Sequence, residues 1–224
     1  MPSSASTAPP AAPSATRLSV KLPVPEEGAL FLPAGTPPLN EAELRELCAE
    51  NPDLRIERTA EGELIVMPPA FSRSGFQSGE AFAQLAQWAR RDRTGLAFDS
   101  STGYRLPGGQ ALRSPDASWV RRERLAALSE TARQGFLPLC PDFLIEIASR
   151  SDRRGDLQKK MHEYRAAGLA LGWMIQPADR PEERKVEVWT QGKTTVLSAP
   201  ATLSANPLLP GFTLDLASIW EPPF

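Results

Sequence analysis

The sequence predicts an α/β (α+β) domain built on a mixed central sheet flanked by helices. Three observations carry that expectation. Apolar runs with a two-residue period, such as "DFLIEIA" and "LGWMIQP", alternate with segments whose apolar residues recur at helical spacing. Two longer stretches, "LRIERTAEGELIVMPP" and "KVEVWTQGKTTVLSA", each hold paired alternating runs around a turn signal. The resulting order is helix, hairpin, helix, strands, strand, helix, strand, hairpin, which calls for helices packed on a sheet. With 224 residues, 41% hydrophobic and 23% charged, the chain can bury the core of one domain.

Residues 1–38 are rich in Pro, Ala and Ser and hold few large apolar groups, so a disordered tail is expected there and a single domain over 39–224. "LNEAELRELCAENP" reads as a short helix: Asn40 is a cap, Glu43 stands three residues on, Leu44 and Leu47 form a stripe, and Pro52 follows the end. The hairpin after it turns at Ala60-Glu61-Gly62. A long helix is expected over Ser74–Arg93, closed by Gly95. Short strands broken by Gly103, Pro107, Gly108 and Gly109 come next, with a short helix to about Leu128. The remainder is a buried strand at "DFLIEIA", a charged helix ending near Gly168, the strand "LGWMIQP", and a hairpin turning at Gln191-Gly192.

A formal charge of −2 argues against one broad basic face that coats nucleic acid, and leaves room for a local basic site. Two distant cysteines, Cys48 and Cys140, with a single histidine, His162, are too few for a disulfide framework or a zinc site, so any metal must be held by carboxylates. No apolar run is long enough for a membrane span and no secretory signal is legible, so a cytoplasmic location is expected.

"DFLIEIA" raises a question of chemistry. A two-residue period puts Phe143, Ile145 and Ile147 on one face and Asp142, Leu144, Glu146 and Ala148 on the other. The first face is core. Glu146 then faces a second layer or a cleft, where an unpaired carboxylate costs several kcal/mol. It calls for a cation, a metal or hydrogen-bond donors, unless the strand is an edge and the acid faces water or a simple salt bridge. On the following helix Leu157, Met161, Tyr164 and Gly168 form the packing face, and Lys160 lies about 70° from its centre while Lys159 points away. Lys160 is therefore the lysine able to reach Glu146, or else a snorkelling residue at the helix boundary. In "RSPDASWV", Asp116 heads a run with Ser118 and Val120 on its own side and Ala117 and Trp119 opposite, although Asp after Pro is also a routine turn pair. Asp116, Glu146 and Lys160 together would make a hydrolytic site for Mg2+ or Mn2+, with the lysine placing a water or stabilising charge on phosphorus-bound oxygens.

"SPDASWV", "CPDFLIEIASRSDRRGDLQKKMHEYRAAGLALGWMIQP" and "VEVW", with "GELIVMPP", "EAFAQLAQW" and "STGYRLPGG" ahead of them, resemble the Uma-two family of restriction endonucleases within the PD-(D/E)xK nuclease superfamily. The likeness spans roughly residues 40–220. It implies a restriction-endonuclease-like fold, DNA as substrate, and Asp116 and Glu146 as metal ligands. The superfamily's usual lysine position is Ala148 here, and the family pattern carries that role onto Lys160; Ser149-Arg150-Ser151 replaces the family's usual Ser-Pro-Ser. The likeness also implies a further metal-ligating acid, Glu80, with Gln84 one turn on, although helical spacing puts Glu80 about 130° from the centre of its helix's apolar face. From Arg150 to Arg165 there are six Lys/Arg against three Asp/Glu, so Arg150, Arg153 and Arg154 are candidates for phosphate contact unless they form a solvated face. Arg121, Arg122 and Arg124 add a second basic run. A homodimer would suit cleavage of both strands. The alternative to an endonuclease is a catalytically silent protein of this fold that binds nucleic acid or a protein partner.

Overall fold

The computed structural model describes residues 20–26, 28–35 and 39–224. It begins with strand β1 (Leu30–Leu32) and helix α1 (Glu41–Glu50), whose N-terminus is closed by a reciprocal capping box between Asn40 and Glu43. The hairpin β2 (Arg55–Arg58) and β3 (Leu64–Met67) follows, turning through Gly62 at φ 92°. Next come α2 (Ser72–Asp92), β4 (Gly95–Asp99), β5 (Tyr104–Arg105), β6 (Leu112–Arg113), β7 (Ala117–Arg121), α3 (Arg122–Ala126) and α4 (Glu130–Arg133). Strand β8 (Phe143–Ile147), helix α5 (Arg154–Ala166) and strand β9 (Leu171–Gln176) form a parallel crossover unit. The hairpin β10 (Lys185–Thr190) and β11 (Thr194–Ser198), the short pair β12 (Thr202–Ser204) and β13 (Thr213–Asp215), and α6 (Ala217–Trp220) complete the chain.

The large sheet runs β11-β10-β9-β8-β7-β4 and is antiparallel except between β8 and β9, so it is the mixed sheet the sequence predicts. Helix α2 covers one face of it. Ala81, Leu85 and Trp88 meet Trp119, Phe143, Ile145 and Trp173 there, with Phe212 and Leu214 from the C-terminal segment. Helix α5 covers the other face through Met161 and Tyr164, against Leu144 and Met174. A smaller sheet, β1-β3-β2-β6-β5, carries α1 on its outer side through Leu44, Leu47, Ile56 and Leu112.

Three local expectations need correction. The tail expected over 1–38 contains β1, paired with β3 from Leu30↔Val66 to Leu32↔Leu64, and Leu22 N–H donates to Asn51 Oδ1 at 2.9 Å. The small sheet has an edge to fill, and three residues suffice to fill it. Residues 1–19 lie outside the described residues. Helix α2 starts at Ser72 and is closed by Arg93 at φ 65°, whose N–H bonds Ala89 O, where Gly95 was expected to close it. Gly95 instead opens β4, and any Cβ there would come within 2.3 Å of the Trp119 ring. The glycine serves a close strand approach.

Candidate active site

Sheet register sets the first two carboxylates. Ala117 on β7 stands opposite Ile145 on β8, so Asp116, one residue earlier, faces Glu146. The Asp116 side chain turns back to accept the Ile147 N–H on Oδ2 at 2.7 Å. Strand parity sends Phe143 and Ile145 into the core under α2 and Glu146 to the face under α5, where it is 3% exposed.

Helix α5 delivers the cation. Lys160 Nζ lies 2.8 Å from Glu146 Oε1, while Lys159 points outward to Asp156. A second carboxylate, Glu57 on β2, approaches the same ammonium at 2.9 Å, and Ser114 O accepts from it at 3.3 Å. Glu57 is itself held by Arg113 Nη1 at 3.1 Å and Ser114 N–H at 3.2 Å. Arg113 Nε donates to Glu163 at 2.5 Å, and Glu163 is anchored by Ala60 N–H. Tyr164 O–H donates to Glu146 Oε1 at 3.0 Å. Arg55, one side chain before Glu57 on the same face of β2, lies 3.8 Å from Asp116 Oδ1 and keeps a third of its side chain in solvent.

The electrostatics separate the two partners of Lys160. Burial pushes the pKa of Glu57 up, but Lys160, Arg113 and Arg55 outweigh it and hold the carboxyl below its ordinary value. Burial pushes Glu146 up as well; there Lys160 is the principal opposing cation, the charges of Asp116 and Glu57 add to burial, and the pKa stays raised. Burial also raises Asp116, against Arg55 and the Ile147 N–H. Burial would strip the proton from Lys160, and its two carboxylates keep it on.

The structure thus brings Asp116, Glu146 and Lys160 together. It does not bring Glu80. Helix α2 lies on the opposite face of the sheet from Glu146, and Glu80 accepts from Gln84 Nε2, whose amide also joins the backbone of Asp215. The expected set of Asp116, Glu146 and Glu80 therefore does not assemble, because a strand can show Glu146 to only one layer. Gln84 is likewise engaged away from the site. Arg154 pairs at 2.6 Å with Glu187, a buried acid on β10 that also accepts from Gln158, Gln176 and Trp189. Arg150 is exposed and pairs with Asp179, and Arg153 stands exposed at the N-cap of α5. Arg121 and Arg124 face Asp142.

Sequence reasoning missed Glu57, Arg55, Arg113 and Glu163. One signal was present: "LRIERT" alternates Arg55 and Glu57 around the apolar Ile56, the same acid-in-a-strand pattern as Glu146. What it lacked was any indication that β2 lies beside α5.

Among the described residues, no group of three His, Cys, Asp or Glu side chains is placed to hold a metal ion. The donor set still fits a hard divalent cation, since magnesium takes one or two carboxylates and completes its shell with waters and substrate phosphates. Asp116 and Glu146 offer those carboxylates. Around them, Glu57, Asp116, Glu146 and Glu163 meet Lys160, Arg113 and Arg55, and burial first, with the charges of Asp116 and Glu57 after it, keeps the Glu146 pKa raised against Lys160.

No curated protein matches this chain. A solved structure does: the crystal structure of a putative nuclease belonging to DUF820 from Anabaena variabilis has the same fold at a TM-score of 0.60, with 20% identity, over 74% of this chain and 89% of that one. Among the described residues, no helix is long and apolar enough to cross a membrane. The model of the family described as "Uma2: Putative restriction endonuclease" matches residues 41–217, and the chain belongs to that family.

Proposed function

We propose that the protein is a metal-dependent endonuclease that hydrolyses DNA phosphodiester bonds. The observation that supports this most is the placement of Asp116 opposite Glu146 on paired strands, with the Lys160 ammonium 2.8 Å from Glu146 in a buried pocket of charge. Asp116 and Glu146 would hold Mg2+ or Mn2+. Such a cation supplies a water made acidic enough to attack phosphorus and positive charge for the phosphate oxygens. The Ile147 N–H keeps Asp116 turned toward Glu146. Tyr164 fixes the Glu146 carboxylate from the helix side. Lys160 is close enough to orient a nucleophile or to offset charge that develops on the phosphate.

Arg55 is suited to the phosphodiester itself. Lys160 and Arg113 are buried and tightly paired, whereas Arg55 is partly exposed, lies 3.8 Å from Asp116 and donates to the Met67 sulfur. A guanidinium so placed can take a phosphate oxygen with little rearrangement. Exposed Arg150 and Arg153, at the entry to α5, would extend that contact along the nucleic-acid backbone.

The test is incubation of purified protein with supercoiled plasmid and with single-stranded DNA in Mg2+ or Mn2+, beside Asp116→Ala and Glu146→Ala. The wild type is expected to nick one of them, and both variants to be inactive. Nicking by the wild type no faster than by the variants, in both metals, would leave the non-cutting, binding role in its place.

A further inference from the structure

The buried cation of this site has two owners, and only one of them is a candidate metal ligand. An ammonium has three N–H donors. Lys160 donates to Glu57 Oε1 (2.9 Å) and Ser114 O (3.3 Å) and is ion-paired with Glu146 Oε1 at 2.8 Å, so protein oxygens surround its ammonium. Glu57 comes from the small sheet and Glu146 from the large one, and the lysine bridges them. Their surroundings differ. Glu57 is fixed on both oxygens, by Arg113 Nη1 and Ser114 N–H, and Arg113 is fixed in turn by Glu163. The Glu146 side chain has Tyr164 as its other partner, and both contacts fall on Oε1. One end of the bridge is anchored and the other is releasable.

We propose that Glu57 is a positioning residue that retains Lys160 in the pocket when Glu146 turns to a divalent cation. Without the cation, Lys160 neutralises both acids. With it, Glu146 gains a stronger partner, and Lys160 stays on Glu57 and Ser114 O with one N–H released toward the reacting phosphate. Were Glu57 absent, Lys160 would have Glu146 as its sole acidic partner, and the metal would have to displace an undivided ion pair. Arg113 and Glu163 serve the same purpose one step back, by keeping Glu57 from following the lysine. This inference rests on the metal-dependent reading above.

The experiment measures Mn2+ binding by calorimetry on the full chain without DNA, for the wild type, Glu57→Gln, Glu57→Asp, Lys160→Met and the Glu57→Gln/Lys160→Met pair. Glu57→Gln is expected to weaken Mn2+ binding about tenfold, a coupling within the range of groups in direct contact. Glu57→Asp keeps the charge and shortens the reach, and should weaken it several-fold. In the Lys160→Met background, Glu57→Gln should change affinity by less than about threefold, since its intermediary is gone. Equal weakening in both backgrounds, or Glu57→Asp indistinguishable from wild type, would mean that Glu57 acts through its own charge, and the proposal fails. If Lys160→Met does not fold, the Glu57→Asp comparison decides alone. A wild type that binds no Mn2+ overturns the metal reading and this inference with it; wild-type binding left untouched by Glu57→Gln overturns only the inference.

Discussion

The two faces of the large sheet are made from the same strands and do opposite work. Under α2, Trp88, Trp119, Phe143, Trp173 and Phe212 pack with ring centroids 4.8–6.0 Å apart, and the cations beside them, Arg121 over Trp119 and Arg184 over Trp220, lie against ring faces. Under α5 the same β8 shows Glu146, β10 shows Glu187 one strand beyond β9, and each acid is met by a cation from one helix. Burial of apolar rings stabilises at about 25 cal/mol per Å2 with no partner to find. Burial of a carboxylate costs unless its partners are in place, and replacing buried ion pairs with apolar groups is often neutral or stabilising. The stability of the domain therefore sits largely on the α2 face. The α5 face keeps charges that a purely structural layer would not need.

Phe143→Ala breaks the comparison hardest. The ring is fully buried between Trp173 and Phe212, and its loss should cost about 3–5 kcal/mol. Urea unfolding should show a lower midpoint at unchanged slope. A loss below about 1 kcal/mol would mean that the aromatic face is not the main source of stability.

The apolar face was also the more legible of the two. Strand parity in "DFLIEIA" separates Phe143 and Ile145 from Glu146, and helical spacing around Met161 and Tyr164 separates Lys160 from Lys159, because both rules act over a few residues. The capping box at Asn40 and Glu43 is legible for the same reason. Glu57 was not, since its meeting with Lys160 joins positions 103 residues apart through two sheets. Glu80 is the converse case: a family pattern placed it at the site, and the side of the sheet that α2 covers removes it. The closing of α2 by Arg93 was hidden because an arginine at positive φ is uncommon, and Gly95 nearby offered the more ordinary signal.

Glu57→Gln and Glu146→Gln sharpen the comparison within the charged face, and the expected signs are opposite. Glu57 has its folded pKa depressed by Lys160, Arg113 and Arg55 against its burial, so its charge stabilises the fold above the unfolded carboxyl value of about 4.3. That contribution is lost as pH falls through the folded value. Glu57→Gln should cost about 1–3 kcal/mol at pH 7, and the deficit should close in strong acid. Glu146 has its folded pKa raised, by burial first and by Asp116 and Glu57 after it, with Lys160 opposing. The folded protein then holds a proton the unfolded chain has released, so stability falls as pH rises from about 4.3 through the folded value. Glu146→Gln should unfold within about 1 kcal/mol of the wild type at pH 8, or later than it, while abolishing cleavage. In the wild type, nicking should decline on the acid side as Glu146 takes up its proton. Thermal melts of both variants between pH 3 and pH 8 give the test, and a destabilisation of the same sign and size for each would remove the distinction between holder and ligand.

The smallest effect improves the apolar layer without touching the charged one. Arg93 ends α2 at φ 65°, a conformation that costs a residue with a Cβ about 1 kcal/mol and costs glycine almost nothing. Its side chain is exposed, and its backbone carbonyl accepts from Arg122 Nε, a bond that survives substitution. Glycine also widens the conformational range of the unfolded chain, which takes back part of the gain. Arg93→Gly should therefore raise stability by about 0.5 kcal/mol, read as a small upward shift in Tm, with cleavage unaltered. A change in cleavage at equal or greater stability would show that the α2 layer and the charged layer are coupled through the sheet between them.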